Sequence, residues 1–357
     1  MTLPRTPGEG GTSPASPGSH PPRTGLRADC TADTAGGLTF DLVLPDGSAA
    51  GRWDAALLLE RRPPGRRAPA HAYAPAGAHA PGSAAPYGHA APADRDGPAD
   101  RADSGEHADP FAPGDATDTA DHWVRLPLFP FGEDRLRAAL PSTMTLAEGR
   151  WDAYVALGED EPQRLRPGLL DLRSLGERDP SAHRTWLGVR IPYAARQGDL
   201  AVRAWLRWPH AELQELRVAD GGMSLRGRLF GAPLDEGARL EARLRSGAEC
   251  VTAGVREAPG GGTGFSATLP FDALFDASDA ALHAAAPADG TRAPRVWDVW
   301  LRPSDGTAPV RVGRILDDVP DKKRTVVYPS HSAAAGTATP YYTRDNDLAV
   351  RLESPPG

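Results

Sequence analysis

The residues best suited to chemistry in this chain are carboxylates set close to arginines. Asp317 and Asp318 are adjacent, and Arg311 and Arg314 lie a few positions upstream. Carboxylates near guanidinium groups are the material of acid–base catalysis and of binding an activated phosphate donor. If the chain is a transferase acting on an activated sugar or polyol phosphate, Arg311, Arg314, Asp317 and Asp318 are the residues expected to carry it. Strand geometry argues against a joint acid–base role for the two aspartates, since neighbours on a strand point to opposite faces. Asp152 and Asp298 each follow a tryptophan. As catalytic groups they would need a cleft and a second acid; as structural groups they need only an arginine. The structural role is expected, and no residue is assigned as catalytic.

Aromatic residues offer a second kind of chemistry, stacking on sugar faces. Trp205 and Trp208 sit beside Arg203 and Arg207 and are expected at the surface. Trp151 and Trp297 alternate with apolar neighbours and are expected in the core. That places Trp300, and Tyr154 as its counterpart, on the opposite strand face. Trp205, Trp208, Trp300 and Tyr154 are therefore the candidates for a ligand surface. Signatures of nucleotide binding, phosphate loops, serine hydrolases and zinc proteases are absent. His71, His79, His89, His107 and His122 are spaced too loosely for a metal tract. Asp345, Asn346 and Asp347 form an acidic run of calcium-site type. Gln197, Gly198 and Asp199 stand at the matching place earlier in the chain, so turn chemistry is the expected role. No metal and no cofactor is expected.

That match reveals the elements that must position these side chains. Residues 192–203 and 340–351 are identical at eight of twelve positions, at an offset of 148. The chain is internally duplicated. Gly198 and Asn346 are the residue types that best tolerate a left-handed backbone, so each copy predicts a tight turn followed by a strand. The repeat extends upstream. Met223, Leu225 and Leu229 match Leu38, Phe40 and Leu44; Phe265–Pro270 matches Leu136–Pro141; Trp297-Asp298 matches Trp151-Asp152; Arg311 matches Arg164. Short alternating strands with Gly and Pro turns predict an all-β protein of two tandem immunoglobulin-like antiparallel β-sandwiches. The expected division is a disordered N-terminus (1–37), which would leave Cys30 outside any core, and a first sandwich (38–175) with a disordered, low-complexity insertion (63–121). Linking strands with the first hairpin (176–222), a second sandwich (223–319) and C-terminal strands with the second hairpin (320–357) complete it. A short helix is allowed for in the Ala-rich stretch 275–293.

Composition sets the outer bounds. The 357 residues include 39 Gly and 37 Pro, with a net charge of −7. Lys322 and Lys323 are the only lysines, a bias of high-GC, actinobacterial type. Mild acidity argues against nucleic-acid binding. No apolar run is long enough to span a membrane, and the first residues have no apolar core of signal-peptide type. A cytoplasmic protein is expected.

The runs Trp297–Pro303, Val312–Val319 and Tyr341–Val350 resemble an actinobacterial family of tandem β-sandwich proteins whose members are often called transferases. The resemblance covers roughly 38–62 and 122–353. It is to the accessory modules of glycosyltransferases and glycerophosphotransferases of teichoic-acid-type polymers. It implies a non-catalytic binding or assembly module, with a glycosyltransferase, a polymerase or a cell-wall polymer as partner. It supplies no catalytic residues, and no glycosyltransferase domain is recognisable in the chain.

Overall fold

A computed structural model describes residues 25–44, 49, 51–63, 122–178, 180, 186–258, 263–284 and 295–355, with the side chains of 281–284 left aside. The tract 64–121, with His71, His79, His89 and His107, lies outside the described residues, as do 1–24. The first half contains β1 (Arg27–Ala32), β2 (Leu38–Val43), β3 (Ala55–Arg61), β4 (Trp123–Pro127), β5 (Phe129–Pro130), β6 (Arg135–Leu140), β7 (Gly149–Leu157), β8 (Gln163–Arg164), β9 (Arg166–Asp171), α1 (Arg173–Gly176), β10 (Leu187–Ala194) and β11 (Leu200–Arg207). The second contains β12 (His210–Ala219), β13 (Gly222–Phe230), β14 (Arg239–Leu244), β15 (Cys250–Glu257), β16 (Gly264–Pro270), α2 (Phe271–Ala284), β17 (Arg295–Arg302), β18 (Val310–Gly313), α3 (Lys322–Thr325), β19 (His331–Ala333), β20 (Gly336–Tyr342) and β21 (Leu348–Glu353). The all-β expectation holds.

The duplication is visible in the sheets. In the first half one sheet runs β5-β6-β2-β1-β9 and the other β10-β11-β7-β3-β4, with β8 on β7. The order β6-β2-β1-β9 recurs as β16-β13-β12-β18, and β10-β11-β7-β3-β4 recurs as β20-β21-β17-β14-β15. Even the unusual parallel pair repeats, β1 with β9 and β12 with β18. In the second half β15 and β18 each pair into both layers and join them into one continuous sheet. Each half has its own core. Period-2 alternation fills it: Leu38, Phe40 and Leu42 point inward from β2 while Thr39 and Asp41 do not. Trp151 and Trp297 are core residues, as expected. Each indole finds an acceptor, the Ala147 carbonyl at 3.0 Å and Ser278 Oγ at 3.1 Å.

The two hairpins share one register. Pro192 pairs with Val202 and Tyr193 with Ala201; Pro340 pairs with Val350 and Tyr341 with Ala349. Gly198 has φ 82° and Asn346 φ 57°, the left-handed conformation the substitution pattern called for. Equivalent hydrogen bonds close both turns, Gly198 N–H to the Ala195 carbonyl and Asn346 N–H to the Thr343 carbonyl. The surroundings differ. Gly198 is exposed, whereas Asn346 is fully buried, accepts from Lys322 N–H and donates to the Val319 carbonyl. Gly198→Ala should therefore cost about 1 kcal/mol through backbone strain alone. Asn346→Ala should cost about 2 kcal/mol, because two buried hydrogen bonds go with it. Urea titrations of the two variants check the ranking.

Three expectations need correction. Residues 25–37 are not a featureless lead-in: β1 lies between β2 and β9, and Ala28, Cys30 and Ala32 are buried. Their side chains are too small to look like a core strand, but a central strand with Phe40 and Leu42 directly beside Cys30 and Ala28 needs nothing larger. The hairpin of 187–207 is not a linker; β10 and β11 complete the second sheet of the first half, and β12 already belongs to the second. The helix α2 starts at Phe271, ahead of the Ala-rich stretch, because Phe271, Leu274, Phe275 and Ser278 form one buried face at helical spacing. Burial pushes the Cys30 thiol far up, while Cys250 is exposed. A maleimide should thus label one thiol per folded chain, Cys250, and two after denaturation; two in the folded state would contradict the buried strand.

Candidate functional site

Asp152 and Asp298 occupy the same place in their halves, each beside an inward-facing tryptophan and one strand from the repeated hairpin. Arg62, one residue past β3, holds Asp152 through Nε at 2.9 Å from both carboxylate oxygens. Arg164 Nη1 approaches Asp152 at 3.2 Å and Asp199 at 3.8 Å. In the second half Arg245 Nε donates to Asp298 at 3.2 Å. Arg311 lies 3.2 Å from Asp298 and 3.2 Å from Asp347. The Trp-Asp match of the sequence is thus the visible part of a four-member unit: arginine, strand aspartate, second arginine, turn aspartate. Burial pushes the Asp298 carboxyl up, but Arg245 and Arg311 together outweigh it and hold it below the usual range. A carboxylate so held is a structural anion and a poor proton carrier.

At the junction of the halves the second unit gains members. Arg207 of β11 donates to Asp347 at 2.8 Å and to Glu148 at 2.8 Å. Arg203 donates to Asp345 at 2.8 Å, and Trp205 Nε1 donates to the Asp345 carbonyl at 3.0 Å. Trp205 is fully buried, not at the surface. The sequence beside it is basic because Asp345 and Asp347 need partners, which lie some 140 residues away. Arg and Asp side chains of both halves do converge, and they neutralise one another.

The other sequence candidates scatter. Arg314 donates Nε to Asp317 at 3.1 Å; Asp317 also accepts from buried Lys322 at 2.6 Å. Asp318 is exposed. Arg311 belongs to the unit around Asp298. The four therefore do not form one site. Trp208 is half-buried, packed on the first core and close to Gly231. Trp300 is half-buried, and guanidiniums of Arg243 and Arg311 lie over its ring at 5.4 and 4.7 Å. Among the described residues no group of three His, Cys, Asp or Glu could hold a metal ion.

Tyr154 is the candidate with accessible neighbours. Trp123, 43% exposed on the edge strand β4, lies 5.8 Å from its ring at 45°. Arg164 lies over the Tyr154 ring at 4.9 Å, and Tyr154 Oη donates to Glu60 at 2.7 Å. Burial and the Glu60 contact push the Tyr154 phenol up to about 12, so it remains a donor at neutral pH. Two aromatic rings, a carboxylate and a guanidinium thus share one outward face. Trp123, Glu60 and Arg164 were not picked out from sequence. The available signal was cross-strand pairing, Trp123 opposite Glu60 and Tyr154 opposite Arg164.

No family model matches the chain, and no curated protein matches it. Among solved structures it is similar to a crystal structure of residues 217–571 of S. aureus TarS, at 10% identity and TM-score 0.24, covering 68% of this chain and 54% of that one. A second S. aureus TarS structure gives the same identity and TM-score over 68% of this chain and 35% of its own. The chain spans about half of the first and a third of the second. A likeness this slight carries no argument about chemistry. No described helix is long and apolar enough to cross a membrane.

Proposed function

We propose that the protein is a non-catalytic binding and assembly module serving a cell-envelope polymer transferase in the cytoplasm, and that Trp123 and Tyr154 form its polymer-facing surface. The face they share with Glu60 and Arg164 carries the reading. Rings offer flat apolar area to the C–H face of a sugar, while the carboxylate and guanidinium offer an acceptor and donors to its hydroxyls. The closed ion-pair units around Asp152 and Asp298 support the non-catalytic half of the reading, since each strand aspartate is held by two arginines. The convergence of Arg207, Asp347 and Arg311 from both halves is the observation that favours a transferase instead. Its charges pair with each other, so these side chains are engaged within the fold.

The test is co-sedimentation of the purified chain with isolated wall polymer. Saturable binding is expected, with Trp123→Ala weakening it about fivefold, close to 1 kcal/mol. Release of nucleotide or polyol phosphate from an activated donor by the protein alone would sink the reading.

A further inference from the structure

The chain has two lysines, and the fold treats them oppositely. Lys323 is exposed, with its ammonium over the Tyr341 ring at 5.7 Å. Lys322, the first residue of α3, is 1% exposed. Its Nζ lies 2.6 Å from Asp317 Oδ1 and donates to the Val319 carbonyl at 3.1 Å. A C–O bond of about 1.2 Å then puts Nζ no more than about 3.8 Å from the carboxyl carbon Cγ. That is within a few tenths of an ångström of a near-attack arrangement, in which reacting atoms stand about 3–3.5 Å apart.

The surroundings suit an amine that acts as a nucleophile. Lysines gain that character when they are desolvated or set beside another cation. Burial pushes the Lys322 ammonium down and Arg314 pushes it the same way; together they outweigh Asp317 and Glu212, which push it up. The facing carboxyl is polarised from both of its oxygens. Arg314 Nε donates to Asp317 Oδ2 at 3.1 Å, and Val319 N–H donates to Oδ1 at 3.0 Å. The guanidinium on Oδ2 stands where negative charge develops when Cγ becomes tetrahedral, which is the arrangement that stabilises acyl transfer. Asp317, unlike Lys322, reaches solvent, its side chain being 19% exposed, so a small leaving molecule has a way out.

We propose that Lys322 and Asp317 condense into an intramolecular amide, a covalent clasp that the folded chain forms by itself. The Lys322 ammonium gives one proton to Asp317 Oδ1. The neutral Nζ then bonds to Cγ, and Arg314 holds Oδ2 as it gains charge. The Cγ–Oδ1 bond breaks, and Oδ1 takes a second proton from Nζ and leaves as water. One amine and one carboxyl become one amide and one water, with no oxidant, reductant or co-reactant. Lys322 N–H donates to Asn346 Oδ1 at 3.0 Å, and Asn346 Nδ2 donates to the Val319 carbonyl at 3.1 Å. The clasp therefore fixes the segment on which the buried turn of the second hairpin rests. It is separate from the Trp123–Tyr154 face and stands or falls without it.

The test is the intact mass of the full chain, purified folded and then denatured. The parent is expected to be one water lighter than the sum of its residues. A digest cut on the N-terminal side of aspartates should leave the pieces on either side of Asp318 and Asp321 joined. An amine-reactive ester should label Lys323 and not Lys322, even in denaturant. Lys322→Arg keeps the charge but cannot close the amide, so it should show the full mass, and Asp317→Ala should do the same. A parent chain at full mass, or label on Lys322 of the denatured parent, overturns the proposal, as does a water still lost in Lys322→Arg. Loss of ammonia in place of water would put the bond on Asn346 and overturn the assignment to Asp317. The parent decides the outcome, so the test holds even where a variant fails to fold.

Discussion

Asp347→Ala is expected to destabilise the protein by about 3–5 kcal/mol, the range for removing one partner of a buried ion pair. Asp347 is 3% exposed and takes Arg207 from the first half and Arg311 from the second. Without it, two guanidiniums remain near each other, Arg207 beside Glu148 and Arg311 beside Asp298. Much of the loss is the cost of those uncompensated cations. Urea denaturation of parent and variant measures it, and a loss below about 1 kcal/mol would show that the junction does not depend on this carboxylate. Acid should act in the same direction. Burial pushes the Asp347 carboxyl up, but Arg207 and Arg311 push it down and prevail, so its folded pKa lies below the unfolded one. The stability it contributes is therefore complete above an unfolded pKa of about 3.9, and is lost as pH falls below it toward the folded value. Asp298 behaves alike. The parent should lose stability more steeply below about pH 4 than Asp347→Ala does.

Glu212→Ala should cost about 3 kcal/mol, or roughly 6–12 °C in Tm. Its carboxylate serves the Ile315 and Leu316 N–H groups and His210. Ile315 belongs to the core of the first half although it follows β18 of the second. Glu212 thus fixes a residue of one half into the core of the other. Alanine strands two backbone donors at 315 and 316, whereas glutamine keeps one acceptor and should cost about half as much. Thermal melts by circular dichroism separate the three proteins. Equal Tm for parent and alanine variant would mean that the Ile315 segment is held by packing alone.

Legibility in the sequence followed locality. Gly198 and Asn346 could be read because a left-handed turn restricts residue type within a few positions. Trp151-Asp152 and Trp297-Asp298 could be read because duplication printed the motif twice. Trp205 could not, because the acceptor for its indole N–H is the Asp345 carbonyl, 140 positions later. Cys30 could not, because small side chains in a central strand carry little hydrophobic signal. Glu212 was equally hidden, because the backbone N–H groups it accepts from lie 103 and 104 positions away.

The second turn also sets an order of events. Arg203, Trp205 and Arg207 belong to a sheet whose strands are all made by residue 207. Their covering residues, Asp345 and Asp347, come 138–142 positions later. At ribosomal speeds of about 5–20 residues per second, that is an interval of roughly 7–28 s. Throughout it the nascent first half presents the Trp205 indole N–H and the Arg203 guanidinium without Asp345, and Arg207 with Glu148 but without Asp347. The hairpin that covers them is made last among the described ones, so the newborn chain has a defined window in which a chaperone, or a premature partner, meets a surface that this fold covers.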